Sequence, residues 1–213
     1  MKTYTDVPAA MRGMNTYGFS WMDFVTAIPS PLFVVTTYKR NGKTNACIQS
    51  WAAFSGNEKH FYAVLTNVSR RGHLCRTVHE TGEAVISFPS ADIYDRCMAT
   101  IRCNGEETDE IAAAGLTAEP AETVHAPRIA ECFMHLECRY LWDRAIMEGD
   151  DNVLMCFEVV AVCADEERLA AAGRYGRDGY LYNVHYPVDP ERYAGRSHDS
   201  LAVLETIREL DEY

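Results

Sequence analysis

The sequence predicts a mainly β fold with helical additions, in the form of an antiparallel, Greek-key-like β-barrel. Two observations support this prediction. Short runs rich in β-branched and aromatic residues recur along the chain, and most of them are joined by hairpin signals instead of helices. A doubly wound parallel sheet is disfavoured because it needs a long crossover, usually a helix, after each strand.

Four strands are predicted in the first half of the chain. Asn41-Gly42 predicts a type I′ turn between the first two strands, because both residues tolerate a positive φ. Residues 1–30 precede these strands and are expected to form an N-terminal arm with a short helix near Trp21–Thr26. The strands cover approximately Leu32–Tyr38, Thr44–Phe54, His60–Leu65 and Glu83–Phe88.

Helices are predicted between and after these strands. The Ser69 hydroxyl can accept a backbone N–H and so begin a helix that runs to about Glu80, where Gly82 stops it. Two more helices are expected, over Ala91–Ala99 and over Asp109–Ala114, and the rest of the alanine- and proline-containing stretch is expected to be a surface loop.

The second half of the chain begins with a long hairpin. Its strands are predicted over Glu131–Met147 and Asn152–Ala164, where apolar residues alternate with polar ones. Residues 173–195 show no clear periodicity in the spacing of their apolar residues, so no element is predicted there. A last helix is predicted within 199–211, with its apolar residues on one face, and the whole chain is expected to be a single domain.

Composition excludes several classes of protein. A formal net charge of −11 over 213 residues argues against nucleic-acid and anionic-membrane partners, since both require a cationic face. We find no signal peptide and no apolar run of about 20 residues that could span a membrane. The eight cysteines contain no C-x-x-C pair, which favours free thiols and a reducing cytoplasm.

The second predicted strand has small and polar residues where core residues are expected. These are Asn45, Cys47, Gln49 and Ser50. One interpretation is that a flat cofactor ring lies across this strand, held by backbone amides and by side chains such as Asn45 or Gln49. The alternative is a barrel strand with a few polar residues that find partners within the protein.

A cationic cluster follows the third strand. Ser69, Arg70, Arg71 and His73 lie close together, and Arg76 follows within one helical turn. The cluster can be a phosphate site, because helix N-terminal N–H groups and guanidinium groups both bind phosphate oxygens. It can also be a solvated helix face. Two arginines at a helix start oppose the helix dipole, and this unfavourable arrangement indicates that an anion binds there. Together with the flat surface of the second strand, it favours a phosphorylated aromatic cofactor.

Other sites of chemistry are not evident in the sequence. There is no G-x-G-x-x-G motif, no Walker loop and no G-x-S-x-G nucleophile motif. The spacing of the histidines and cysteines does not match that of metal ligands. We therefore expect no metal site and no catalytic side chain.

Two stretches of sequence are similar to a known family. The run PLFVVTTYKRNGKTNACIQSWAAFSG and the run SRRGHLCRTVHETGEAVISFPSAD resemble, in order and spacing, the flavin reductase-like family of FMN-binding split β-barrels. The resemblance covers roughly residues 25–165. It is strongest at Gly42–Ala46, at Ser50-Trp51 and at Glu80–Pro89.

The resemblance implies a homodimer with FMN near the subunit interface. It implies that the flavin ring lies against the second strand, at Asn45, Ala46, Cys47, Ile48, Gln49, Ser50 and Trp51. It also implies phosphate contacts at the loop and helix start that follow the third strand, at Thr66, Ser69, Arg70, Arg71 and His73. Family members often have a threonine in the first turn of that helix; this chain does not, so Ser69, Arg70 or Arg71 would take its place.

The function implied is an FMN-dependent oxidoreductase. It would take a hydride from NAD(P)H, which stacks transiently on the flavin, and pass electrons to free flavin or another acceptor. One alternative is an FMN electron carrier of the flavoredoxin type, reduced by a redox partner protein and without NAD(P)H turnover of its own. Another is a split-barrel module that binds haem or a different ligand.

Overall fold

The computed structural model describes residues 1, 3, 28–168, 171–184 and 200–207. The chain divides into two compact units. One comprises Met1–Pro31 and Tyr182–Ala202, and the other Leu32–Leu181 and Val203–Tyr213. The predicted helix near Trp21–Thr26 lies outside the described residues. That the whole chain is a single domain stays a prediction.

Strands dominate the described part of the chain. In chain order they are β1 (Ser30–Pro31), β2 (Phe33–Tyr38), β3 (Thr44–Gln49), β4 (Ala52–Gly56), β5 (Phe61–Ser69), β6 (Glu83–Phe88), β7 (Ala118–Pro120), β8 (Pro127–Ile129), β9 (Met134–Ala145), β10 (Asn152–Ala164), β11 (Leu181–Val184) and β12 (Ser200–Val203). The α-helices are α1 (His73–Thr81), α2 (Tyr94–Arg102) and α3 (Glu110–Ala113), and short 3-10 segments lie at Ala91–Ile93, Glu166–Arg168 and Ala171–Arg174.

The larger unit is built on a seven-stranded antiparallel sheet. Its strand order is β3-β2-β6-β9-β10-β5-β4, so β3 and β4, which follow each other in sequence, lie at opposite edges. This is the predicted mainly β, antiparallel split barrel. The short β7 and β8 pair with each other, and β1, β11 and β12 form a separate three-stranded sheet.

Strand β2 contributes to two hydrophobic cores because successive strand residues point to opposite faces. Phe33 and Val35 lie in the main core with Leu74 and Val78 of α1. Val34 lies in a second core, packed with residues of the segments that contain α2 and α3. Helix α1 and the α2–α3 pair therefore lie on opposite faces of β2, and β3 at the sheet edge lies beside both.

Several predicted elements are confirmed. The strand Glu83–Phe88 has the predicted bounds, and the long hairpin is formed by β9 and β10. Helix α3 begins after Asp109, whose side chain accepts a hydrogen bond from the Ala112 N–H at 3.1 Å. All eight cysteines are free thiols.

The single strand predicted over Thr44–Phe54 is wrong. The chain breaks at Ser50-Trp51, where Trp51 has a φ of +56°, and continues as β4 at the other edge of the sheet. The predicted type I′ turn is also wrong. Of Asn41 and Gly42, only Gly42 has a positive φ, and the Gly42 N–H bonds to the Lys39 carbonyl at 2.9 Å. This is the pattern of a type I turn followed by a left-handed residue.

Two predicted helix boundaries are corrected. Ser69 does not cap a helix: it ends β5, and α1 begins at His73 after Gly72 as its N-cap. The predicted C-terminal helix is wrong over residues 200–207, which form β12 and a non-helical stretch, and residues 208–211 lie outside the described part. The β7–β8 hairpin was not predicted. Among the described residues, no helix is both long and apolar enough to cross a membrane.

A buried histidine in the sheet makes the stability of the protein depend on pH. His135 on β9 is 6% exposed, and its Nδ1 lies 3.0 Å from the Ser87 Oγ. Burial, followed by the positive charge of Arg128, lowers the pKa of His135 from 6.5 to about 4. Below pH 6.5 the unfolded chain takes up a proton that the folded protein does not, so stability falls as the pH falls toward 4.

We predict that His135 alone removes up to about 3 kcal/mol from the free energy of unfolding between pH 6.5 and pH 4. His135→Leu should therefore show a shallower loss over this range than the wild-type protein, measured by urea denaturation at a series of pH values. His125→Gln, at an exposed histidine, should keep the wild-type slope. An unchanged slope in His135→Leu would contradict the assignment.

Candidate functional site

A groove with a volume of about 210 Å³ lies beside the edge strand β3. Four segments line it: β3 itself, the end of β5 with the start of α1, the end of α2 with Asn104 after it, and Glu110 at the start of α3. The groove thus joins the two regions that the sequence singled out, the polar strand and the segment after the third predicted strand.

The β3 wall carries most of the predicted ring-binding residues. Asn45, Ala46, Cys47, Ile48 and Gln49 all line the groove. Asn45 is buried and its amide donates to the Thr37 hydroxyl at 3.3 Å, so its side chain is held within the protein. The Gln49 amide donates to the Cys47 Sγ at 3.1 Å. Burial raises the pKa of the Cys47 thiol, an effect that this hydrogen bond opposes, so the thiol side chain stays neutral in the wall.

The opposite end of the groove is the start of α1. Gly72 is its N-cap and offers no capping side chain, and the first turn contains no acidic residue. Ser69, Gly72, His73 and Leu74 line the groove here. A Cβ at Gly72 would lie 3.3 Å from the Ser69 carbonyl oxygen, so this turn is closely packed. Uncapped backbone N–H groups at a helix start form a site for an anion.

The two arginines lie before the helix and not in it. The Arg70 Nη1 is 3.6 Å from the Asp143 Oδ1, and the Arg71 Nη2 is 2.7 Å from the Asp151 Oδ2. Neither residue is among those that line the groove. The prediction that two arginines lie at the helix start and oppose its dipole is therefore wrong, since α1 begins two residues after Arg71.

Asp143 holds both ends of the α1 segment. Besides Arg70, it bonds to His79 in the last turn of α1, with the Nε2 2.5 Å from the Oδ2, and to the Tyr140 hydroxyl at 2.7 Å. Burial alone would raise the pKa of Asp143, but the hydrogen bonds from Tyr140 and His79 and the charge of Arg70 keep it below its ordinary value. The segment before α1 and the last turn of α1 are thereby both fixed to β9.

Unusual backbone geometry lies next to the groove. Trp51 and Asn67 have φ values of +56° and +60°, and they are the described non-glycine residues with positive φ. Thr66 lies between them in the structure: its N–H and its hydroxyl both donate to the Trp51 carbonyl, at 3.0 and 2.6 Å. Asn67 lines the groove, whereas Ser50, Trp51 and Thr66 do not. Such conformations cost energy and concentrate at functional sites.

An ion network that no sequence pattern indicated borders the groove. Lys39 and Glu110 form a buried pair, with 2.8 Å between the Nζ and the Oε1 and side chains that are each 1% exposed. His73 lies between two carboxylates, with its Nδ1 3.4 Å from Glu110 and its Nε2 3.4 Å from Glu106. Because these partners are far apart in sequence, no local pattern could have identified them.

The groove fits a flat, singly phosphorylated ring. It combines an edge strand that is small and polar, on which a ring can lie, with an uncapped helix start that suits a phosphate group. The buried carboxylate of Glu110 in its wall is paired with Lys39, so it repels an anion less than an unpaired carboxylate would. Among residues 28–168 and the other described parts, no group of His, Cys, Asp or Glu is arranged to hold a metal ion.

Solved structures of several proteins share this fold. The flavoredoxin of Desulfovibrio vulgaris (Miyazaki F) superposes with a TM-score of 0.69 at 21% identity, covering 99% of this chain and 97% of that one. The NADH:FAD oxidoreductase of Streptomyces globisporus C-1027 gives 0.62 at 14% identity, covering 85% and 93%. An FMN-binding domain of a flavin reductases-like enzyme from Shewanella baltica OS155 gives 0.60 at 14% identity, covering 85% and 89%.

The fold and the groove together define a flavin-binding split barrel of the oxidoreductase class. The model of the flavin reductase like domain matches residues 25–183, and the chain belongs to this family. The match confirms the family predicted from the sequence and extends it past residue 165.

Proposed function

We propose that the protein binds FMN in the groove and acts as an NAD(P)H-dependent flavin reductase. The ring lies along β3 and the phosphate lies at the start of α1. The observation that supports this proposal most directly is the pairing, in one groove, of a polar edge strand with an uncapped helix N-terminus. Membership of the flavin reductase-like family is consistent with it.

Bound FMN would supply the redox chemistry, because its ring accepts a hydride and releases electrons. The chain contributes binding and orientation. The backbone of β3 offers hydrogen-bonding groups along the groove, the start of α1 offers N–H groups for the phosphate, and Ser69 and His73 stand beside it. The proposal requires no protein acid or base, in line with the expectation that there is no catalytic side chain.

The second candidate is an FMN electron carrier that a redox partner protein reduces. The similarity in fold to a flavoredoxin favours this alternative, and the net charge of −11 suits docking to a basic partner. The two candidates share the cofactor and the site. They differ only in whether NAD(P)H reduces the bound flavin directly.

We also propose a cytoplasmic homodimer. The eight free thiols are consistent with a reducing compartment. Phe61, Tyr62 and Leu141 on β5 and β9 are 42%, 38% and 51% exposed, and together they line an open apolar cleft of the sheet. Exposed apolar surface of this kind is typical of an interface between subunits.

The phosphate assignment predicts opposite effects of one substitution on stability and on ligand affinity. Gly72→Asp places a carboxylate at the N-cap, where it can bond to the free N–H groups of α1 and stabilise the protein by about 1 kcal/mol relative to Gly72→Asn. The same carboxylate competes with the phosphate. We expect the affinity for FMN to fall about tenfold more in Gly72→Asp than in Gly72→Asn, measured by quenching of flavin fluorescence.

Riboflavin, which lacks the phosphate, provides the control ligand. The two variants carry the same Cβ and differ only in charge, so they should bind riboflavin equally. Equal FMN affinities for Gly72→Asp and Gly72→Asn would contradict the assignment of the phosphate to the start of α1. The proposed function would be contradicted if the wild-type protein bound neither ligand and stayed colourless after incubation with FMN.

Mixing with nicotinamide nucleotides distinguishes the reductase from the carrier. We expect NADH or NADPH to bleach the visible absorbance of the FMN-loaded protein under anaerobic conditions, faster than it bleaches free FMN at the same concentration. Stopped-flow absorbance follows the reaction. If neither nucleotide bleaches the flavin while dithionite does, the protein is the carrier.

The homodimer predicts a mass twice that of the 24.0 kDa chain in light scattering after gel filtration. Leu141→Lys should shift the population toward the monomer, because it places a charge in the apolar cleft that the dimer would bury. The Leu141 side chain is half exposed in the single chain, so the substitution should leave the fold of the monomer intact. Glu119→Lys, an exposed charge change on β7, serves as the control and should stay dimeric. A monomeric wild-type protein would contradict the dimer.

A further inference from the structure

Glu110 is a buried carboxylate in the wall of the groove, and it bonds directly to the edge strand. Its Oε2 accepts a hydrogen bond from the Ala46 N–H at 2.9 Å, and its side chain is 1% exposed. A side-chain acceptor for a β-strand N–H is notable, because such a group is usually paired with a neighbouring strand. Among the strands of the described residues, β3 is an edge of the sheet and has none on that side.

The alternation of hydrogen bonds along β3 shows which other groups face the same way. In an antiparallel pair, every second residue directs its N–H and its carbonyl away from the neighbouring strand. Ala46 is such a residue, because its N–H bonds to Glu110 and not to its β2 partner Thr36. Ile48 is two residues further along β3, so its N–H points to the same open edge, and Ile48 lines the groove.

The position of Glu110 is fixed from several sides. The Lys39 Nζ lies 2.8 Å from its Oε1 and also donates to the Gly105 and Thr108 carbonyls at 2.8 Å each. The Thr44 hydroxyl on β3 accepts from the Ile111 N–H at 3.1 Å. Helix α3 is thereby held to the beginning of β3, and Glu110 cannot move away from Ala46 without breaking these contacts.

We infer that Glu110 is a positioning residue that sets where along β3 the flavin ring lies. By occupying the Ala46 N–H, it withdraws the first groove-facing donor of the strand and leaves the Ile48 N–H as the next donor for the ring edge. This inference rests on the proposed function for the identity of the ligand. Its physical basis is that a buried donor that is already bonded offers nothing to a ligand.

Residue-resolved amide exchange tests the inference on the wild-type protein. Without ligand, the Ala46 amide should exchange slowly and the Ile48 amide quickly. Saturating FMN should slow exchange at Ile48 and leave Ala46 unchanged. Bound FMN that protects Ala46 as strongly as Ile48, or that leaves Ile48 unprotected, overturns the inference while the proposed function stands. Failure of FMN to bind at all overturns both.

Two matched double variants separate the role of the acceptor from that of the buried charge. Lys39→Met/Glu110→Gln and Lys39→Met/Glu110→Met both remove the ion pair, so neither leaves a buried unpaired charge. Gln retains an oxygen that can accept from the Ala46 N–H, whereas Met is of similar size and has no such acceptor. A difference in Ala46 amide exchange between the two variants therefore reports this hydrogen bond.

We expect the Gln variant to bind FMN within about twofold of the wild-type protein, and the Met variant about tenfold more weakly. In the Met variant the Ala46 amide should exchange quickly without ligand, and FMN should now slow it, because the freed donor competes for the ring. Equal FMN affinities and equal Ala46 exchange in the two variants would show that Glu110 supports the fold and does not position the ring.

Discussion

The open edge of β3 is the constraint on which the groove depends. Strands that follow each other in sequence usually pair, but the break at Ser50-Trp51 sends β4 to the far edge of the sheet. Strand β3 therefore keeps a row of backbone groups with no strand partner in the described part of the chain. Such groups require hydrogen bonds when they are shielded from water. Glu110 satisfies one of them, and the others face a space that a flat ligand can occupy.

The electrostatics of the site are local and largely balanced. The chain is strongly acidic overall, yet the start of α1 has no acidic residue in its first turn. The nearby charges are paired with one another: Lys39 with Glu110, Arg70 with Asp143 and Arg71 with Asp151. What remains for an anion is the set of backbone N–H groups at the helix start, whose positive potential does not depend on net charge. The arginines stabilise the segment that presents those groups.

Most of the fold could be predicted from the sequence, because local patterns determine most of its elements. Alternating apolar residues predicted the long β9–β10 hairpin. Gly82 ends α1 through its left-handed backbone, and Asp109 begins α3 through its side-chain hydrogen bond. The errors fall where a local pattern competes with tertiary contacts. Thr44–Phe54 has the composition of one strand, but pairing with β2 on one side and β5 on the other divides it. Residues 200–207 have helical spacing, but Ser200–Val203 form a strand beside β11.

The sequence by itself determined the family, the antiparallel barrel and the two segments that line the groove, because short-range patterning and turn residues encode strands and helix ends. Only the tertiary structure decided which side chains of those segments face the groove. It turned Arg70 and Arg71 toward carboxylates of β9 and of the β9–β10 hairpin, and it brought Glu110 against Ala46 from 64 residues away. Such contacts depend on packing between elements that are distant in sequence, so no local sequence pattern predicts them.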